Sequence, residues 1–229
     1  MLIIVDKKIP EEARINLQKY GELVLLETKG ITEESISGHP DNFFLSSQKE
    51  LIVATNLPQA YKELLREKKV SFKEGSFNVE EKYPEAAHYN AVVTDNYFIH
   101  RADISDPEII ESTKHLQQIH VSQGFTRCSL LPLRENNFIT SDKGIYETLV
   151  KRGMQVLLVS PVNIILPGHA YGLFGGTCGI YDNTVFFLGS LAHHCDGEKI
   201  KIFLKNLGYN IIELYDGPLF DGGSILFIS

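Results

Sequence analysis

Leu130-Leu131-Pro132-Leu133-Arg134-Glu135-Asn136-Asn137-Phe138-Ile139-Thr140-Ser141-Asp142 joins an apolar run, a polar turn, a second apolar run and a helix start. Asn at such a turn tolerates left-handed backbone and supplies local hydrogen bonds. Beyond Asp142, Ile145 and Leu149 share one helical face, Gly153 is a stop, and residues 156–159 are apolar again. The stretch predicts strand, turn, strand, helix, strand.

Working outward, the same order recurs. Apolar pairs flank polar turns at 43–45 and 51–54 (Ser46-Ser47-Gln48-Lys49 between), at 91–93 and 97–99 (Thr94-Asp95-Asn96), and at 179–181 and 184–188 (Asp182-Asn183). A helix signal follows each pair. One runs from Asn56, with Leu57, Tyr61, Leu64 and Leu65 at helical spacing. The next has Asp106 as N-cap before Pro107, with Ile109 and Leu116 a face apart. The last follows Asp196, carries Ile200, Phe203, Leu204 and Leu207, and ends at Gly208. Apolar runs at 70–72, 119–121 and 211–214 complete the copies, so four read ββαβ.

The fifth copy is split between the ends of the sequence. Residues 2–5 give its second strand and 23–26 its third. Between them Pro10-Glu11-Glu12 opens a helix with Ala13, Leu17 and Tyr20 on one face and Gly21 as its stop. Ser224-Ile225-Leu226-Phe227-Ile228-Ser229 is an orphan strand. If it pairs with residues 2–5, five ββαβ units close into an α/β ring, one domain over 1–229, with every edge covered. An open mixed α/β sheet built from the same elements is the alternative.

Composition narrows the function. With 22 Lys+Arg against 29 Asp+Glu, the net charge of −7 argues against nucleic-acid binding. No apolar run approaches the roughly 18 residues of a membrane helix, and Met1-Leu2-Ile3-Ile4-Val5-Asp6 lacks a signal peptide's basic flank. Three cysteines, an odd number, fit a reducing cytoplasm better than a disulfide framework. The expected partner is a small molecule, with no membrane, cofactor or metal.

Five ββαβ units about a pseudo-fivefold axis resemble the pentein fold, the α/β propeller of guanidino-group-modifying enzymes. Two motifs add to the resemblance. Gly38-His39-Pro40-Asp41-Asn42-Phe43-Phe44 looks like the His-x-Asp segment before a strand in those hydrolases, and Asp221-Gly222-Gly223-Ser224 like the Gly-rich approach to their last strand. That strand bears the family's nucleophilic cysteine; here it has none. The sequence is most similar to a bacterial branch of the superfamily. The resemblance implies a guanidino, amidino or amino-acid-like ligand and, for an enzyme, hydrolysis of a C–N bond through a thiolate. The alternative it offers is a non-catalytic binding protein, like the ribosome anti-association factor of the same fold.

The repeat locates a site independently. Segments leading into the five first strands converge on the axis: Gly38-His39-Pro40-Asp41, Ala87-His88-Tyr89, Gly124 to Cys128, Gly175-Gly176-Thr177-Cys178 and Asp221 to Ser224. Cys128 is the candidate nucleophile and His39 its acid–base partner. Asp41, His88, Arg127, Gly175, Gly176, Cys178 and Asp221 are candidate ligand contacts. In extended chain His39 and Asp41 share a side, and Arg127 beside Cys128 favours a thiolate. The competing reading of either cysteine is a small core hydrophobe. His169, Cys178, His193, His194 and Cys195 form a rival zinc set, but neighbouring side chains at 193–195 diverge, and Asp196 reads as a helix cap.

Overall fold

The computed structural model describes residues 1–47 and 50–228. Its elements run β1 (Leu2–Asp6), α1 (Glu11–Leu17), β2 (Glu22–Leu26), α2 (Pro40–Phe43), β3 (Phe44–Ser46), β4 (Leu51–Val53), α3 (Gln59–Glu67) and β5 (Lys73–Glu74). Then come β6 (Val92–Val93), β7 (Tyr97–His100), α4 (Pro107–Thr113), β8 (Gln117–His120), α5 (Thr126–Ser129), β9 (Leu130–Leu133), β10 (Asn137–Thr140), α6 (Lys143–Val150) and β11 (Gln155–Leu158). The last are β12 (Cys178–Tyr181), β13 (Thr184–Phe187), α7 (Gly197–Asn206), β14 (Asn210–Glu213) and β15 (Leu226–Ile228).

Five three-stranded sheets result, ordered β15-β1-β2, β3-β4-β5, β6-β7-β8, β9-β10-β11 and β12-β13-β14. In each, the middle strand is antiparallel to the first and parallel to the third, the helix making the parallel crossover. The ends of the sequence meet as expected, with Leu2 opposite Ile228 and Ile4 opposite Leu226. Among the described residues no helix is long and apolar enough to cross a membrane.

Alternation along the middle strands explains how units adhere. Leu2 and Ile4 pack with Phe43, Phe44 and Ile52 of the next unit. Ile3 and Val5 face the other way, onto α1 through Ala13 and Leu17 and onto Phe186 and Leu188. Leu130 and Phe138 likewise join the β6-β7-β8 unit, whereas Leu131 and Ile139 join the β12-β13-β14 unit. Both faces of each sheet are therefore buried, and these strands read as continuous apolar runs.

Several local expectations need correction. The strand expected at 70–72 begins at Lys73, because Val70 N–H closes the end of α3 on Leu65 O (2.9 Å) after Lys69 turns left-handed at φ 59°. Helix α3 starts at Gln59, not Asn56, whose side-chain amide instead brackets Val79, donating to its carbonyl and accepting from its N–H. Tyr20 lies past the end of α1, largely exposed and edge-on to Phe186. Asp196 precedes α7 without capping it; its carboxylate accepts from Ser160 N–H and Lys199 Nζ. Gln48 and Lys49 of the first expected turn, and Ser229 of the closing strand, lie outside the described residues.

The segments leading into β3, β9 and β12 are single helical turns rather than extended chain: α2, α5 and a 3₁₀ turn over Phe174–Thr177. These turns place the polar residues of the axis.

Candidate functional site

Glycine lets lead-in segments touch at the axis. A Cβ on Gly223, which has φ +65°, would fall 2.2 Å from His39 Cβ, and one on Gly176 would fall 1.9 Å from Asp221 Oδ1. No other residue fits either point.

Asn90 organises the polar layer these segments enclose. Its Nδ2 donates to Asp41 Oδ1 (2.9 Å), to Asn42 Oδ1 (2.9 Å) and, at 3.5 Å, to Cys128 Sγ. Its Oδ1 accepts from the N–H groups of Arg127 (2.8 Å) and Cys128 (3.1 Å). Cys128 is thereby held with its thiol donating to Asp41 Oδ2 at 3.0 Å and with His39 Nδ1 at 4.0 Å. Beyond the imidazole, Asp6 Oδ2 lies 3.9 Å from His39 Nε2. Both of those atoms are buried without a hydrogen-bond partner.

His39 and Asp41 both reach Cys128, but not from one side. Residues two apart in a helical turn point about 200° apart, not to a common face. His39, Cys128 and Asp221 line a cavity of ≈ 350 Å³ walled by Tyr83, Phe125 and Tyr171. Asp41 and Arg127 instead line a separate cavity of ≈ 180 Å³ among the first strands, with Phe44, Leu131 and Ile180. Asp41 thus stands behind the thiol as seen from the larger axial cavity. A further cavity, ≈ 460 Å³, lies away from the axis between Leu45, Ile52, Val93 and Leu116.

Burial sets the ionisation of this layer. Among the described residues Asp221 accepts from backbone N–H groups alone, those of Leu173 (2.7 Å) and Gly223 (3.1 Å). Its pKa is pushed up to about 7, chiefly by burial. Asp6 and Asp41 rise to about 6 for the same reason, though the Cys128 thiol and the Arg127 charge act against the rise at Asp41. Burial and the charge of Lys8 push His39 down to about 3. The Cys128 thiol goes well above its ordinary value through burial and the neighbouring Asp41 and Asp221. The expectation that Arg127 favours a thiolate at Cys128 does not hold: burial and the two carboxylates decide the thiol's ionisation, and the guanidinium turns to the carbonyls of Gly175 (2.8 Å) and Cys178 (3.1 Å).

The remaining candidates separate. Cys178 is fully buried in the core, its thiol directed at the carbonyls of Phe174 and Gly175 and its pKa raised to about 12 by burial. Gly175 and Gly176 are buried spacers that line neither axial cavity. His88 is diverted: its Nδ1 bonds Ile104 O at 2.5 Å, its ring packs on Phe77, and it lines neither cavity. Asn90 and Asp6 are the residues sequence reasoning missed. Asn90 sits one position past Tyr89, and an asparagine before a strand reads as a turn; Asp6 reads as the polar end of β1.

The rival zinc set is divided: His194 and Cys195 have donor atoms within 4.8 Å of each other and of Asp196, whereas Cys178 is buried in the core and the other histidines are engaged elsewhere. His169 bonds Ser35 Oγ (3.0 Å), His193 bonds Asp216 (2.7 Å), and both ring nitrogens of His194 are engaged, by Ser160 O and Asp196 N–H. The donor atoms of His39, Asp41 and Cys128 do lie within 4.8 Å of one another, the N, O, S combination a soft divalent cation accepts.

Dimethylarginine dimethylaminohydrolase from Pseudomonas aeruginosa, as a mutant complexed with citrulline, matches with TM-score 0.55 and 11% identity over 93% of this chain and 91% of that one. Agmatine deiminase from C. jejuni matches with TM-score 0.56 and 12% identity over 92% and 86%. The amidinotransferase SxtG from Microseira wollei, of a saxitoxin biosynthetic pathway, gives 0.52 and 13% over 92% and 87%. No curated protein matches. At such identities the likeness establishes the fold, and it is the pentein fold. The profile of a family of unknown function (DUF6873) spans residues 4–226, and the chain belongs to that family.

Proposed function

We propose that the larger axial cavity binds a small guanidino or amidino cation and that Cys128 attacks its central carbon. The observation that carries this reading is the convergence of Cys128, His39 and Asp221 on one cavity with aromatic walls. Among the described residues Asp221 has no hydrogen bond from a side-chain cation; its partners there are backbone amides. A planar cation supplies the missing charge, pairing with the carboxylate and stacking on Tyr83, Phe125 or Tyr171.

The proposed chemistry needs one proton shuttle. A cation over Cys128 favours its thiolate, and the thiol proton passes to His39 Nδ1; the 4.0 Å separation tightens in the complex. Asp6 stabilises the resulting imidazolium from its Nε2 side and keeps the ring oriented. Sulfur bonds to the amidine carbon, the C–N bond breaks, and His39 returns the proton to the leaving amine. Water, deprotonated by the same histidine, then attacks the carbon, and the C–S bond breaks to restore the thiol. The second reading, binding without turnover, is favoured by one observation: Cys128 is 2% exposed and holds its proton at rest.

A pair of alkylating agents tests the reading. Chloroacetamidine carries a planar cation and chloroacetamide is its neutral counterpart; each loses chloride as a C–S bond forms. The amidine should modify Cys128, and the neutral amide the exposed Cys195. Asp221→Asn should slow the amidine reaction about tenfold, the factor carried by roughly 1.4 kcal/mol of charge-assisted hydrogen bonding. If peptide mass spectrometry finds both agents on Cys195 and neither on Cys128, the reading fails.

A further inference from the structure

The axial layer brings three kinds of metal donor to one point. His39, Asp41 and Cys128 are 1%, 4% and 2% exposed, and their donor atoms lie within 4.8 Å of one another. Tetrahedral zinc, with bonds of about 2.3 Å to sulfur and about 2.0 Å to nitrogen or oxygen, holds its donors about 3.5 Å apart. Cys128 Sγ stands 3.0 Å from Asp41 Oδ2 and 4.0 Å from His39 Nδ1. Shifts of about half an ångström therefore bring sulfur to coordination distance from both. The set is drawn from the lead-ins of β3 and β9, not from the closing strand β15.

Two observations besides the spacing point to a cation. His39 Nε2 and Asp6 Oδ2 face each other at 3.9 Å, both buried and neither hydrogen-bonded. A metal on Nδ1 fixes the tautomer that carries its proton on Nε2, and a small closure then lets that proton meet Asp6. Histidine ligands are commonly oriented by a carboxylate in this way. Charge points in the same direction, because Asp6, Asp41 and Asp221 are all buried in this layer. Lys8 stands 3.8 Å from Asp6, but Asp41 takes its bonds from Asn90 and the thiol, and Asp221 from backbone N–H groups. Arg127, whose charge reaches Asp41, donates to the carbonyls of Gly175 and Cys178.

We infer that His39 Nδ1, Asp41 Oδ2 and Cys128 Sγ bind one thiophilic divalent cation of the zinc or cobalt class, with Asp6 positioning the histidine from behind. Thiolate and imidazole select such ions over magnesium and calcium, which take oxygen donors. The thiol proton passes to solvent as the metal–sulfur bond forms. His39 and Cys128 line the ≈ 350 Å³ cavity, so the ion enters there and its fourth position faces that space. The inference stands on donor geometry and not on attack at an amidine. With metal bound the thiolate is a ligand; without it the thiol is free to react.

Cobalt(II) reports such a site directly. The full chain carrying Cys195→Ser lacks the exposed thiol of the His194–Cys195–Asp196 group. It is dialysed against EDTA, freed of chelator and titrated with Co²⁺. One equivalent should raise a near-ultraviolet thiolate-to-cobalt band and the visible bands of a four-coordinate ion, and Zn²⁺ should bleach both. Adding Cys128→Ser should abolish the near-ultraviolet band. Asp6→Asn should keep that band but weaken Co²⁺ binding by roughly 10–100-fold, as losing a ligand's hydrogen-bond partner does. Unchanged affinity in a folded Asp6→Asn chain overturns the positioning role. Melting needs no buried substitution: Zn²⁺ should raise the melting temperature of the Cys195→Ser chain and Mg²⁺ should not, and equal shifts overturn the choice of a thiophilic ion. Absence of the near-ultraviolet band in the Cys195→Ser chain, or its persistence in Cys128→Ser, overturns the site. Chloroacetamidine on the metal-free chain tests the nucleophile separately, and its failure at Cys128 leaves the cobalt bands standing.

Discussion

Asp221 is the residue at which the fold's cost and the site's affinity meet. Its carboxyl is removed from water and repaid only with backbone N–H groups, so its pKa stands near 7, not the ordinary 3.8. Between about pH 4 and pH 7 the folded chain holds this proton more tightly than the unfolded chain, so the carboxyl's contribution to stability falls as pH rises. A bound cation reverses the preference, since it gains from the ionised form. Affinity for butylguanidine should therefore rise by roughly tenfold between about pH 5 and pH 8. Asp6 and Asp41, with pKa values near 6, add to the slope at its acid end. Asp221→Asn should weaken binding and leave only that shallower, more acidic portion; an affinity flat across this range in the unaltered protein would contradict the assignment. The sequence named Cys128, His39, Asp41 and Asp221 because repeat register alone brings their segments to the axis. It could not divide them between two cavities, because α2 turns His39 and Asp41 apart within four residues, too short a span to leave a periodic pattern.

Among the elements, α4 shows how a cap can do more than end a helix. Asp106 Oδ1 accepts from Glu108 N–H at 2.9 Å, the N-cap bond that Asp before Pro107 predicts. Its Oδ2 reaches a different segment, accepting from Ser76 N–H (2.8 Å), Phe77 N–H (2.7 Å) and the Tyr89 hydroxyl (3.0 Å). The residue is fully buried and accepts all four of these bonds, so its removal strips a partner from each donor. Asp142, the cap of α6, accepts from Ile145 N–H (2.8 Å) and Gln123 Nε2 (3.2 Å) and is half-buried. Asp106→Ala should cost about 3 kcal/mol and Asp142→Ala about 1 kcal/mol in urea unfolding. Equal losses would mean that Asp106 acts as a cap only. Caps, stripes and stops were legible for these helices because each is a local signal. The second half of Asp106's role was not: it joins residues thirty positions apart with no spacing rule between them.

Over the whole molecule, closure is a single antiparallel contact between the ends of the chain. Leu2, Ile3 and Ile4 stand opposite Ile228, Phe227 and Leu226, and without that contact β1 would expose one edge to water. Ile225 belongs to the same core cluster as Ile3, Val5, Leu188 and Leu214, so the closing segment joins units that are remote in sequence. Removing residues 225–229 should therefore lower the melting temperature by far more than the few degrees expected of trimming a free end, and should do so in one transition. A circular permutant separates loss of the strand from loss of chain continuity. A short Gly/Ser linker would join the paired ends, and new ends would open between Asp95 and Asn96, both exposed in the β6–β7 turn. Every strand then keeps its neighbours, and only which loop is closed changes, a cost that varies slowly with loop length. The permutant should melt within a few degrees of the parent and still react with chloroacetamidine at Cys128, because the layer formed by His39, Asn90, Cys128 and Asp221 needs the ring and not the position of its ends. A permutant that folds but leaves Cys128 unreactive, beside a reactive parent, would show that the axis depends on more than closure.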